Sequence, residues 1–470
     1  MTDPLWQRTG TELVALMASV DVSAREVIEA HLERIDEVNG WLNAAVLVAA
    51  DEARAAADAT DRARAAGETL GPLAGVPFTV KDGLDLAGHP TTYGIPAFAG
   101  NVAPVDDPTI GRLRSAGAIP IAKTNQPEMA MRLATDNPLF GLTRNPWHPD
   151  RTASGSSGGD ASAIASGMTP MGVGSDLGGS VRNPAYACGI AATKTSLGRL
   201  PVHGTSPRAS EALLGRQLMA VAGPMARSVA DLEAMLRVTV GRHPRDPRSV
   251  DVPHDGSSFV RRAAVPTDLP GGPIHPDARE AVRRAGEALA ADGWEVVDAT
   301  PPEMERCYDV WGRLLGEDFP MTMEALSAVI SDDGAHLIRS SMVFWPAGEV
   351  APQEVHIERH RLARQWALFL DEFPVLVLPT WYQPPFGHHD DLSDDLSVVR
   401  ALYDGVFTPI TPANVLGLPA TQIPVGCNAD GVPLGVQFMA DRHREDRTLA
   451  AAAVVEAAPP SISAIAPVLG

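Results

Sequence analysis

Residues 151–182 read RTASGSSGGDASAIASGMTPMGVGSDLGGSVR, and the rest of the chain is best read outward from them. Two Ser/Gly clusters, at 154–159 and 178–180, bracket a run of small residues. The Ala/Ser-rich segment 160–166 predicts a tightly packed helix. Segment 170–175 predicts a short buried strand that ends where the second cluster begins. Glycine lets the backbone approach a ligand closely and adopt positive φ. N–H groups freed in this way can converge on a developing negative charge. Ser/Gly clusters alone are ordinarily flexible linkers. Here apolar segments interrupt them and patterned chain flanks them, so two folded loops are the better reading. The stretch lacks a GxxxxGK motif followed by Ser or Thr, which argues against a phosphate cradle.

Upstream, residues 11–38 predict two helices, with Ser23 and Glu26 as a capping box and Asn39-Gly40 as the stop. A strand is expected at 44–49 and a helix at 51–66. Val76, Phe78 and Val80 alternate, so a short strand delivers Lys81 at its end. A lysine there is ordinarily a surface residue. Buried beside the Ser/Gly loops, it would have a lowered pKa and could serve as a base. A helix is expected at 107–117, a strand at 118–122, a turn at 123–125 and a helix at 127–133. Downstream, helices are expected at 183–188, 228–240, 276–291 and 356–370, and in pieces over 303–347. Strands are expected at 294–297, 374–379 and 431–438. A helix end leads into another strand over 414–424, and a helix closes the chain at 447–457. Residues 241–265 read as a long connection. Strands and helices alternate for most of the length, which predicts an α/β fold.

The chain has 470 residues, 45% hydrophobic and 20% charged, which is ample for a large core. Its net charge of −20 disfavours nucleic acid and anionic membranes as partners. Three scattered cysteines support neither a disulfide framework nor a cysteine-rich metal site. Cys188 reads as a small buried hydrophobe rather than a nucleophile. Without a signal-peptide pattern or a transmembrane-length apolar run, a cytoplasmic protein is expected.

The chemistry follows if Lys81, Ser156 and Ser180 converge. Serine is a weak nucleophile and needs a base. A neutral buried lysine could take its proton directly or through an intervening serine. Ser156 suits the relay and Ser180 the attack. The N–H groups of Leu177, Gly178, Gly179 and Ser180 would then form an oxyanion hole. That arrangement fits acyl transfer from an amide, with no cofactor and no metal.

These residues make the chain similar to the amidase signature family. The resemblance rests on Val80-Lys81-Asp82, Lys123-Thr124-Asn125, Gly155-Ser156-Ser157-Gly158-Gly159 and residues 175–182, and it continues at 223–228 and 431–437. Residues 137–147 look like the branch containing fatty acid amide hydrolase and related bacterial amidases. The resemblance implies a Ser-Ser-Lys triad on Ser180, Ser156 and Lys81, with a cis peptide before Ser156. It implies loop support from Ser157, Asp176 and Arg182, and an acyl group lined by Met129 and Ala130, with Ser156 also at the substrate. It implies a large twisted mixed β-sheet flanked by helices in one domain over 1–470. Within it, 73–237 is the signature core, 241–400 a more variable region and 401–470 a return to the core. Three departures stand out: Ser154 for the usual glycine, Ser175 for threonine, and Thr193-Lys194-Thr195 for Leu-Lys-Pro.

The expected activity is hydrolysis of a linear, non-peptide carbon–nitrogen bond in a small-molecule amide. The alternatives are a glutaminase subunit of a glutamyl-tRNA amidotransferase, which needs partner subunits, and a biosynthetic acyl-transferring amidase. An idle binding protein is disfavoured by the intact Lys81, Ser156 and Ser180. A homodimer is left open.

Overall fold

A computed structural model describes residues 4–203, 212–254, 256, 258–460, 462 and 467. One mixed sheet joins eleven strands. They are β1 Ala45–Val48, β2 Pro77–Lys81, β3 Ile119–Thr124, β4 Met171–Asp176, β5 Ala191–Lys194, β6 Val221–Ala226, β7 Arg262–Ala264, β8 Glu295–Val297, β9 Val375–Pro379, β10 Ala420–Cys427 and β11 Pro433–Met439. Their order is β1-β3-β2-β4-β6-β5-β10-β11-β9-β7-β8. β2 runs parallel to β3 and β4, and β7 runs parallel to β8 and β9. The other pairings are antiparallel.

Helices cover both faces, so β2, β9 and β11 are buried along their whole length. A strand buried on both sides reads as a continuous apolar run, and β9 (VLVLP) is one. Its side chains alternate between two cores: Val375 and Val377 join one, Leu376 and Leu378 the other. The second core is the aromatic one and contains Trp311, Trp366 and Trp381.

Several expected elements shift for identifiable reasons. The second helix runs Ala24–Leu42, past Asn39-Gly40, and ends at Asn43 with φ 51°. Asn39 stays helical because its Oδ1 accepts the N–H groups of Ala44 and Ala45 beyond the helix end. The helix expected at 127–133 is only a 3₁₀ turn, Glu128–Ala130, since Met129 and Ala130 both take positive φ. The connection at 241–265 carries β7 at its end.

The helix end read at Asn414 belongs to a 21-residue helix, Leu396–Leu416, with Pro409 and Pro412 inside it. Proline ordinarily breaks a helix because it lacks the N–H. Here the Gly405 carbonyl that Pro409 cannot serve accepts the Tyr382 N–H at 2.8 Å. Tertiary contacts thus sustain a helix that local rules would divide.

The topology fixes where chemistry can occur. β2 and β4 are parallel neighbours, with Val80 opposite Val173. Their C-terminal ends therefore lie side by side, delivering Lys81 from β2 and Ser175 and Asp176 from β4. Binding sites in sheets with parallel strands form at such ends.

Candidate active site

Lys81 is fully buried. Its Nζ donates to Ser156 Oγ at 2.7 Å and to Ser175 Oγ at 3.1 Å. Burial pushes the Lys81 ammonium well below the ordinary lysine value of 10.5. The carboxyls of Asp160, Asp176 and Asp82 oppose that fall, and Arg216 adds to it. Asp160 sits in the first turn of the helix Gly158–Ala165, and its Oδ1 accepts the Thr79 hydroxyl at 2.8 Å. Thr79 and Lys81, two residues apart on β2, face the same side of the sheet. Burial pushes the Asp160 carboxyl up, against the Thr79 bond and the Lys81 charge.

The first Ser/Gly loop is tightly enclosed. The Gly155–Ser156 peptide is cis, as the family resemblance implied. Ser154 takes φ 62°, the left-handed region that favours glycine, which explains why glycine is usual there. A side chain on Gly155 would lie 2.6 Å from the Arg132 carbonyl. The Ser157 N–H donates to the Ser180 carbonyl at 3.1 Å, tying the first loop to the second. The Ser157 hydroxyl is buried with no hydrogen-bond partner among the described residues. Its contact with the second loop is therefore made by the main chain.

The second loop has each carbonyl from Leu177 to Ser180 held. Leu177 O accepts the Trp311 indole N–H at 3.0 Å, and Gly178 O accepts Asn183 Nδ2 at 3.1 Å. Gly179 O accepts the Asn183 N–H at 2.6 Å. One of the four expected oxyanion donors is otherwise engaged: the Gly179 N–H points to Asp176 Oδ1 at 2.8 Å. Gly179 takes φ 93°, with its N–H turned toward Asp176. The N–H groups of Leu177, Gly178 and Ser180 make no hydrogen bond among the described residues. Ser180 is half-buried, and its hydroxyl is likewise without a hydrogen bond among the described residues.

Asp176 and Arg182 anchor this loop from beneath, both fully buried. Arg182 Nε and Nη2 reach the two Asp176 oxygens at 3.1 and 3.2 Å. Its other donors go to Ile410 O, Gln437 Oε1 and Asn414 Oδ1. Burial alone would push the Asp176 carboxyl up, but Arg182 and Asn414 outweigh it and hold the group at about 2.

Met129 is buried in a small apolar cluster with Tyr93, Ile95 and Leu326, while Ala130 is half-buried. The chain just beyond them braces the first loop, since Thr135 Oγ1 donates to Ser154 O at 2.8 Å. Cys188 is fully buried and its thiol is pushed up by burial, in keeping with a small core hydrophobe. Sequence reasoning offered the segment 308–319 as a distant lining of the pocket without singling out Trp311, and it gave Asn183 and Asn414 no role in the site. The last two lie within or beside quoted stretches, whereas the hydrogen bond from Trp311 to a loop more than a hundred residues upstream is set by the tertiary fold. Among the described residues no group of three or more metal-ligating side chains occurs, and no helix is long and apolar enough to cross a membrane.

A mixed eleven-stranded sheet with helices on both faces, and a buried lysine–serine pair between two Ser/Gly loops, define the amidase-signature class of α/β enzymes. The chain belongs to the amidase family: the family model described as Amidase matches residues 26–449. It is therefore an enzyme acting on carbon–nitrogen bonds. It is 37% identical over 462 residues to an indoleacetamide hydrolase of Bradyrhizobium diazoefficiens, covering 96% of this chain and 87% of that one. It is 34% identical over 493 residues to a glutamyl-tRNA(Gln) amidotransferase subunit of Acidothermus cellulolyticus, covering 97% and 95%. Among solved structures, 6-aminohexanoate cyclic dimer hydrolase superposes with a TM-score of 0.82 at 28% identity, covering 98% of each chain.

Proposed function

We propose that the enzyme hydrolyses a small carboxamide through an acyl-enzyme on Ser180, with Ser156 and Lys81 as the proton relay. The observation that carries this reading is the 2.7 Å contact between Lys81 Nζ and Ser156 Oγ, two fully buried side chains. Desolvation favours the neutral amine, whose lone pair can accept the Ser156 proton across that distance. Ser156 in turn takes the Ser180 proton as Ser180 Oγ attacks the amide carbon. The Ser180 hydroxyl makes no hydrogen bond among the described residues, and such catalytic contacts often close only when substrate binds. The oxyanion meets the N–H groups of Leu177, Gly178 and Ser180. On collapse the C–N bond breaks, and Ser156 returns the proton to the leaving nitrogen. Water then attacks the ester by the same relay, releasing the carboxylic acid and restoring Ser180. Met129 and Ala130 flank the acyl group.

The 37% identity to an indoleacetamide hydrolase favours an arylacetamide-type substrate that yields ammonia. A second reading, the glutaminase subunit of a tRNA-dependent amidotransferase, is favoured by the 34% identity to a subunit of such an enzyme. The test is intact mass and peptide mapping after a fluorophosphonate, followed by ammonia release from indole-3-acetamide, an aliphatic amide and glutamine. Labelling at Ser180 that is lost in Lys81→Ala, with turnover of an amide by the chain alone, is the expected result. No label would overturn the serine mechanism. Glutamine turnover only with added partner subunits would favour the second reading.

A further inference from the structure

The second Ser/Gly loop is held from outside the signature region. Trp311 lies on the helix Met304–Leu326, and its indole N–H donates to Leu177 O at 3.0 Å. The peptide joining Leu177 to Gly178 is trans, so its C=O and N–H point in opposite directions. Fixing the Leu177 carbonyl on Trp311 therefore aims the Gly178 N–H away from the bond to the indole, and there it makes no hydrogen bond among the described residues. The ring itself is 3% exposed and cannot turn freely. Phe407 packs on it at 4.6 Å between centroids, and Trp345 meets it edge-on at 6.3 Å. Contact is reciprocal, because a Cβ on Gly178 would lie 2.7 Å from Trp311 Cζ2. A buried indole N–H requires an acceptor, so leaving this bond unmade is costly on both sides.

We propose that Trp311 is a positioning residue for the reaction, whose indole N–H holds the Leu177–Gly178 peptide so that the Gly178 N–H faces the developing oxyanion. This rests on the Ser180 acyl-enzyme reading. Trp311 touches neither the nucleophile nor the base, and its effect is on the aim of one donor. The neighbouring peptide is set in a related way: Trp381 Nε1 donates to Asn183 Oδ1 at 2.8 Å, which turns the Asn183 amide nitrogen toward Gly178 O.

The test is Trp311→Phe, together with replacement of Trp311 by the isosteric 3-benzothienylalanine, which removes only the N–H and preserves the ring's shape. Deleting an oxyanion donor costs about 10²–10³ in rate, and misaiming one costs less. The expected result is a kcat about 10- to 100-fold lower with KM within about twofold. Fluorophosphonate labelling of Ser180 should slow in the same proportion. Unchanged kcat and labelling in the isosteric variant would overturn the proposal. So would a raised KM with kcat retained, which would make the ring a substrate wall instead. If the unmutated enzyme takes no label at Ser180, the acyl-enzyme reading itself has failed.

Discussion

Lys81 Nζ lies 2.7 Å from the Ser156 hydroxyl, and both side chains are sealed from solvent. A lysine so placed is useful as a base only when neutral, and burial is what favours that form. The rate should therefore fall as pH is lowered, because acid protonates the competent amine. Since burial depresses the Lys81 pKa, that acid limb should lie well below 10.5. Lys81→Ala should lower kcat/KM by about 10²–10⁴-fold and abolish the limb. Ammonia release followed across the pH range measures both. A flat profile with chemistry rate-limiting would remove Lys81 from the role of base.

Asp160 offers a way to move that limb without touching the triad. Its carboxyl is the largest charge opposing the fall in the Lys81 pKa; Asp176 and Asp82 oppose it less, and Arg216 adds to the fall. Asp160→Asn keeps the size and an acceptor for the Thr79 hydroxyl but removes the charge. With less to hold its proton, Lys81 becomes neutral at lower pH, so the acid limb should shift down by about one pH unit. The same kcat/KM profile reads it. An unmoved limb would show that Lys81 does not feel the Asp160 charge.

Gly178 has a steric requirement that can be tested directly. An added methyl would sit 2.7 Å from Trp311 Cζ2, closer than real Cβ contacts come. The ring is packed on Phe407 and Trp345 and has little room to yield, so the peptide must move instead. Gly178→Ala should lower kcat by about 100-fold, as the loss of an oxyanion donor does. It should reduce stability by only about 1–3 kcal/mol, typical of overpacking. Steady-state rates and a urea melt separate the two effects. Wild-type kcat in a folded Gly178→Ala protein would mean that the loop tolerates movement and that Gly178 is not a donor.

How much of this was legible depends on the range of the interactions. The strand ending at Lys81 and the helix and strand between the two Ser/Gly loops follow from local pattern, and their ends fall within a few residues of expectation. The family motifs brought Lys81 and Ser156 together in advance of the structure. Local pattern failed where distant chain intervenes. Met129 and Ala130 look helical in sequence but adopt positive φ between Tyr93 and the first loop. Pro409 and Pro412 look like breaks, yet the helix continues because other segments satisfy it. The engagement of the Gly179 N–H by Asp176 is a matter of peptide orientation, which residue type does not encode. Trp311 reaches the site from the aromatic core: the apolar run at 308–319 suggests a pocket lining, but the bond from its indole to Leu177 O depends on tertiary placement.

Arg182 carries the last prediction, which concerns stability and its pH dependence. Its guanidinium is the charge that holds Asp176 at about 2 against burial. In the native protein a carboxyl held below its ordinary 3.8 contributes stability that is present above that value and lost as pH falls toward 2. Arg182→Met removes the partner and leaves the carboxyl buried, which should cost about 3–5 kcal/mol at neutral pH. Without the guanidinium, burial raises the Asp176 pKa above its unfolded value, so the sign of the linkage reverses. The folded variant then prefers the protonated acid, and its deficit should shrink as pH is lowered from neutral to about 4. Urea unfolding of both proteins at the two pH values measures the difference. A deficit that is equal at both, or larger in acid, would mean that Arg182 stabilises the loop through Ile410, Gln437 and Asn414 rather than through the charge of Asp176.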